Sequence, residues 1–320
     1  MSDDRDRDKK KNRDNVIPFR PRQTRERLAE PYLPEELYIA DKIERIDQLP
    51  VIPELALRIL KLRDDPDATV EQLVDIIMLD PSLAAQVIRY ANSPLFGQRG
   101  HVKTLDDAIF RVLGFETVMY LAIGNSMAGA FRFPESGKLG LNHFWRSATY
   151  SAALMQNVAE QIKRDKKLQP GIAYLCGLTH NIGFLVLAQL FPENYHWLNN
   201  ALNSHYGEPV IALEEELLGI THAHLGVRLM EEWQMPGELQ AVAGHHHNLN
   251  YQGEFADYVW LTQITDQLLK RHELSDADSD ELATMLYQQL GLSESDLNNA
   301  LDDILQSADV LDTMVRSLIS

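Results

Sequence analysis

Apolar residues recur along most of this chain at steps of three and four, the spacing that gathers them on one side of an α-helix. Ile39, Ile43 and Ile46 form a first stripe, ended by Leu49-Pro50-Val51-Ile52-Pro53, and Leu55, Ile59 and Leu62 form the next. Thr69 is placed to cap a helix carrying Leu73, Ile76 and Ile77. Pro81 suits the first turn of a helix through Leu83, Val87, Ile88 and Tyr90, closed by Asn92-Ser93-Pro94. Thr104 opens a further helix that Gly114 stops, and an apolar helix runs from Phe115 to about Phe131. After a loop from Arg132 to Gly140, helices are predicted over 141–163, 172–190, 210–219, 222–232, 237–247 and 254–272. Asp276-Ala277-Asp278-Ser279 reads as a hydrophilic break. Two helices capped by Ser279 and Ser293 follow it, with Leu282, Met285, Leu286, Leu290, Leu297, Leu301, Ile304 and Leu305 on their apolar face. Strand-like alternation is not sustained anywhere, so the expected class is all-α. The expected organisation is a disordered charged tail over 1–30, a body over 31–272 with lobes at 31–135 and 140–272, and a helical extension over 273–320.

Charge changes the picture at one end. The formal net charge is −17 over 320 residues, yet residues 1–27 hold ten Lys/Arg against six Asp/Glu, leaving −21 on the remainder. So acidic a body repels a phosphate backbone, which argues against nucleic-acid binding except by the tail. The mixed-charge, apolar-poor tail is more simply a solvated segment. We read no run of about eighteen apolar residues free of charge, and expect no membrane span. The single cysteine, Cys176, lies in an apolar run as a packed side chain, in keeping with a reducing cytoplasm.

Chemistry concentrates in the second half. Within the apolar run Ile172–Leu190 stands His180-Asn181, where an acid after the His would give half of a hydrolytic metal site. Asn carries no charge and cannot bridge two cations as a carboxylate does. His222, His224, the triplet His245-His246-His247 and Asp266 follow, and helices of a bundle can bring such residues to one centre. Positions 222 and 224 point about 200° apart on a helix, so only one faces inward. One or two of the triplet can do so.

In order along the chain, these stations resemble the HDOD domain, the signalling branch of the HD-domain metal-dependent phosphohydrolase superfamily. They are Leu49-Pro50-Val51-Ile52-Pro53, Asp80-Pro81-Ser82-Leu83, Ala91-Asn92-Ser93 with Phe96-Gly97, Thr104, Ala108-Ile109 and Leu113-Gly114. Phe144-Trp145-Arg146, His180-Asn181-Ile182-Gly183, His222-Ala223 with Gly226, Trp233, Pro236 and His246-His247 continue the series. The resemblance covers about 45–270 and implies a two-lobed helical fold whose second lobe is an HD-like bundle. It also implies that a catalytic relative has His where this chain has Ser147 and Asp where it has Asn181, with His180, His222, His246 or His247 and Asp266 completing the ligand set. Two ligand positions thus depart, which points to a non-catalytic bacterial signalling module acting through protein contacts, with no cofactor expected. The alternative is a metal-dependent phosphohydrolase with an unusual ligand set. For the polar cluster itself three accounts stand. It is a hydrogen-bonded core with Asn181 on Asp266, a pocket for a nucleotide or other small molecule, or a residual divalent-metal site of His180, His222, His246, His247 and Asp266. Expected partners are other signalling proteins and a second copy of the chain.

Overall fold

The computed structural model describes residues 38–39, 49–96, 101–128, 131, 137–162, 168–204 and 208–319. The charged tail, the stripe at Ile43 and Ile46, Gly97, most of the loop after Phe131 and the Lys163–Lys167 run lie outside the described residues. Among the described residues the chain is helical without strands, which is the all-α class.

In the first lobe, α1 (Glu54–Arg63), α2 (Val70–Ile77), α3 (Pro81–Ala91), a short α4 (Leu105–Asp107) and α5 (Phe115–Met127) each begin on a signal present in the sequence. Thr69 closes a capping box with Gln72, Asp80 accepts from the amides of Ser82 and Leu83 ahead of α3, and Thr104 caps α4. After a wider π turn over Ala108–Leu113, Gly114 breaks the helix at φ 81°, a left-handed value that costs a Gly little.

The second lobe is built on α6 (Leu141–Gln161), α7 (Pro170–Thr179), α8 (Gly183–Leu190), α9 (Pro192–Ser204), α10 (Val210–Leu217), α11 (His222–Glu232), α12 (Gly237–His245) and α13 (Ala256–Lys270). Helix α9 was not read from the sequence. Its apolar positions are interrupted by buried Asn194 and Asn199, which blur the periodicity. The predicted helix 172–190 is two helices, parted at His180-Asn181-Ile182, where amides reach back three residues and tighten the turn. One expectation about membranes also changes. Pro170–Leu190 is a charge-free segment holding an 18-residue window of mean hydropathy 1.5, apolar enough to span a bilayer by composition, and every residue of that window is buried in the fold. A helix apolar on every side needs neighbours on every side, and α7 has α5, α6, α12 and α13 around it.

Three helices, rather than two, make the C-terminal extension: α14 (Thr284–Gln289), α15 (Glu294–Gln306) and α16 (Ala308–Leu318). Ser293 caps α15 as expected, but Ser279 only turns the chain, accepting from Glu281 N, and α14 starts five residues later. Leu286, Leu290, Leu297, Leu301 and Ile304 are buried, whereas Met285 is exposed. Helix α16 packs on α3 of the first lobe and α6 of the second, with Asp312 meeting Arg146 Nε at 3.1 Å and Tyr150 OH at 3.0 Å. One continuous apolar core runs through both lobes and the extension. Tyr90 OH bonds Gln156 Oε1 at 2.8 Å and Trp233 Nε1 bonds the Pro50 carbonyl at 2.7 Å, each joining the lobes.

The α6–α7 crossing is close because Gly177 lies directly on the backbone of Ala152, where an added Cβ would stand 2.7 Å from Cα and N. Gly177→Ala should therefore destabilise the protein by about 3 kcal/mol, since backbone on backbone cannot yield without parting the helices. At Gly244 an added Cβ meets only Val227 at 3.5 Å, so Gly244→Ala should be tolerated. Urea unfolding of the two variants measures the contrast.

Candidate metal centre

Four elements converge on one buried cluster. His180 closes α7, Asn181 follows it in the α7–α8 break, His222 opens α11, and His246 and His247 follow α12. The break is held where it is by Gly183, whose Cα lies against the carbonyl of His222, leaving no room for a side chain. Ser147 on α6 and Asp266 on α13 flank the cluster, both buried. The hydrophilic break also enters it. Leu274 O accepts from Ser147 Oγ at 2.6 Å and Ser275 Oγ donates to Asp266 O at 2.6 Å, so the segment is stitched across α6 and α13. Asp276 is thereby presented to the histidines.

Three imidazoles have one nitrogen committed to the protein. His180 Nδ1 faces the Gly177 carbonyl at 2.7 Å and His246 Nδ1 the Val242 carbonyl at 2.9 Å. A carbonyl only accepts, so both Nδ1 atoms carry a proton, and in a neutral imidazole that leaves Nε2 bare. His222 Nδ1 lies 2.8 Å from Glu214 Oε2, on a carboxyl that is fully buried and also accepts from His222 N. Phe184 stacks on the His222 ring at 4.0 Å and fixes its plane. A carboxylate behind a histidine is the arrangement that orients metal-ligating imidazoles and raises their basicity.

What those nitrogens face decides the chemistry. His222 Nε2 and His246 Nε2 are 3.1 Å apart, and Asn181 Oδ1 is 3.2 Å from the same His246 nitrogen. His247 Nε2 is 3.3 Å, and His222 Nε2 3.8 Å, from Asp276 Oδ2. Ligands about 2.0–2.1 Å from a tetrahedral ion stand about 3.3 Å from one another, and the donors of His222, His246, His247 and Asp276 all lie within 4.8 Å of each other. The residues present therefore fit one divalent ion of the zinc, iron or manganese kind.

A proton can serve the same electrons. Burial pushes the Glu214 carboxyl well above its ordinary pKa and pushes His222 and His246 well below theirs. A protonated Glu214 donates to His222 Nδ1, and the ring proton on Nε2 then points at bare His246 Nε2. Ion and proton compete for this site, so binding an ion expels a proton. Burial also depresses His247, but the Asp276 carboxylate beside it outweighs burial and lifts it to about 9. Burial likewise works against the Asp276 charge, yet His247 holds that carboxyl well below its usual range. Burial raises Asp266 to about 6.

The sequence-derived candidates are thus distributed as follows. Ser147, His180, Asn181, His222, His246, His247 and Asp266 share one neighbourhood, but Asn181 Nδ2 donates to Asp276 Oδ1 at 3.1 Å rather than to Asp266. His224 turns away to Thr221 Oγ1, and His245 stacks on Tyr251 at 4.3 Å. Cys176 is fully buried, and burial holds its thiol well above the ordinary pKa, which suits packing and not nucleophilic attack. Two acids were missed. Glu214 stands on the inward stripe Val210, Leu213, Glu214, Leu217 of α10, an acid on an apolar face that was legible. Asp276 had no such signal, being one polar residue among several in an irregular stretch. The cluster borders a cavity of about 520 Å³ lined by Ser147, Asn181 and Asp276 together with Lys138, Lys270 and Glu208.

A family model described as HDOD domain matches residues 49–249. A curated relative from Treponema pallidum (strain Nichols), called an uncharacterized protein, is 25% identical over 213 residues, covering 66% of this chain and 40% of its own length. A candidate signal transduction protein from Marinobacter aquaeolei VT8 is 31% identical with a TM-score of 0.72, covering 98% of this chain and 66% of that one. An HDOD domain protein of unknown function from Geobacter sulfurreducens has a TM-score of 0.68 at 21% identity over 87% of this chain and 96% of that one. A candidate phosphohydrolase from Shewanella amazonensis SB2B has a TM-score of 0.66 at 24% identity, covering 87% of this chain and 98% of that one. The last two are likenesses of fold. The chain spans less than two thirds of the Treponema and Marinobacter proteins.

Two predictions follow from the charge arrangement. Glu214→Gln keeps the shape but weakens the acceptor behind His222, and should lower divalent-ion affinity about 10–100-fold, read by titration calorimetry. With ions chelated, the His247–Asp276 pair stabilises the fold fully only below the unfolded imidazole value of about 6.5. That contribution is lost as pH rises through about 9, because the folded pKa lies above the unfolded one. Urea unfolding at pH 6 and pH 9.5 should show the loss in the parent protein and a smaller one in His247→Gln.

Proposed function

The chain belongs to the HDOD domain family, and from that premise we propose that it is a regulatory module of signal transduction that holds a divalent ion without hydrolysing a substrate. The observation that carries this reading is the donor set: His222, His246, His247 and Asp276 give four protein ligands. Four-ligand sites of this kind are closed and structural, whereas hydrolytic ones keep a position for water. When bound there, an ion supplies positive charge that replaces the proton between His222 and His246. The chain's own groups do the rest. Glu214 and the Val242 carbonyl hold the imidazoles in register, and Asn181 fixes Asp276 by its amide. Ser147, whose hydroxyl is spent on the Leu274 carbonyl, adds no ligand. The cavity that Asn181 and Asp276 help to line suits a small molecule whose arrival the ion site would register. Output would pass to other signalling proteins through surface contacts.

The test is made on the purified full chain. Metal analysis should find a bound transition ion, and a generic phosphodiester offered with added Mn, Fe, Ni or Zn should show no turnover above the metal-only background. Turnover that disappears in a His222→Ala, Asp276→Ala double variant would show a hydrolase and sink the non-catalytic reading. A chain that takes up no ion at any pH from 6 to 9 would sink the ion-holding one.

A further inference from the structure

We infer that Asp276 replaces the carboxylate missing at position 181 and serves two cation subsites at once. The inference rests on the ion-holding reading above and extends it. Asn181 occupies the place where an acid would bridge two ions, and an amide cannot. Its Nδ2 instead donates at 3.1 Å to a carboxylate that arrives from 95 residues further along, outside the matched 49–249 stretch. Asp276 Oδ2 is turned to the imidazoles, 3.3 Å from His247 Nε2 in an ion pair and 3.8 Å from His222 Nε2.

A second set of donors shares the same carboxylate. His180, Asp266 and Asp276 each offer an atom within 4.8 Å of the others. His180 donates through Nδ1 to the Gly177 carbonyl, which turns Nε2 toward this second set. That nitrogen stands 3.6 Å from Asp266 Oδ1, too far for a hydrogen bond, and both atoms are buried without a hydrogen-bond partner. Two polar atoms left without a hydrogen bond in a dry interior carry a desolvation penalty that a positive charge between them, metal ion or proton, relieves. One imidazole and two carboxylates are ligands for a divalent transition ion. Three protein donors leave a coordination position to be filled, unlike the four at the first subsite. Asp276, which both subsites share, lines the cavity, so a ligand entering there would meet the carboxylate that joins them.

The experiment loads the chelated full chain with Mn2+ and reads stoichiometry by calorimetry and spin coupling by electron paramagnetic resonance. Two ions per chain with a coupled signal are expected. Asp276→Asn, which preserves shape, should weaken both classes at least tenfold and abolish coupling. His180→Gln with Asp266→Asn should remove one ion and leave the other at parental affinity. Moving the charge back, in an Asn181→Asp, Asp276→Asn double variant, should restore the coupled pair, an outcome that a merely structural Asp276 would not produce. One ion per chain in the parent, with affinity unchanged by His180→Gln and Asp266→Asn, would overturn the two-subsite inference and leave the single-ion reading standing. No ion in the parent would overturn both. Circular dichroism melting of each variant confirms that it is folded.

Discussion

Three buried imidazoles, each held through Nδ1, organise the second half of this protein. His180 and His246 donate to helix carbonyls of their own elements, and His222 leans on buried Glu214. Those bonds turn the remaining nitrogens of His222 and His246 toward each other and that of His180 toward Asp266. Lone pairs brought to 3.1 Å without a positive charge between them repel, and a low-dielectric interior gives that repulsion full weight. A proton or a metal ion has to be present, and both enter at the same place. The surrounding fold looks arranged around that demand: the α7–α8 break, the contact of Gly183 with His222, and the path of the segment after α13.

The segment over 271–283 gives the site its second property. A loop with few internal bonds is tied down by Ser147, by the Asp266 carbonyl and by Gln267, which accepts from Ala283 N at 2.9 Å. It brings a charge to the centre of the bundle and then leads directly into α14–α16. Because α16 rests on helices of both lobes, whatever holds Asp276 also holds the base of an element that touches the whole molecule. A polar loop crossing a core is expensive unless its groups are matched, and here the match is made by the cluster itself.

Much of this was legible in the chain and some was not, for definite reasons. Caps at Thr69, Asp80, Thr104 and Ser293 are local chemistry, so the helices they start fall where expected. The split of 172–190 was invisible because an all-apolar run has no phase to lose; Gly177 and Gly183 mark its contacts, but neither says against what. His180 and Asn181 announced a metal-like site by adjacency. Glu214 could have been read from its place on an apolar stripe. Asp276 could not, because its role depends on a crossing that no periodicity encodes, between a loop and residues as far back as Asn181.

Substitution at Asn181 and Ser147, taken alone, argues that a metal site has decayed. That argument treats ligand positions as fixed addresses in the sequence. Coordination is a matter of where charge and lone pairs end up, and an acid delivered from a different segment satisfies the same electrostatics. The Asn181 amide is then a positioning group: it donates to one oxygen of Asp276 and leaves the other facing the imidazoles. An acid at 181 beside an acid at 276 would place two negative charges at hydrogen-bond distance, with Asp266 close by, and would need a cation at every moment to offset them. An amide in that place lets the cluster persist with a proton alone. Such a centre can exist filled and unfilled without unfolding, which is what a module that reports on its ligand requires.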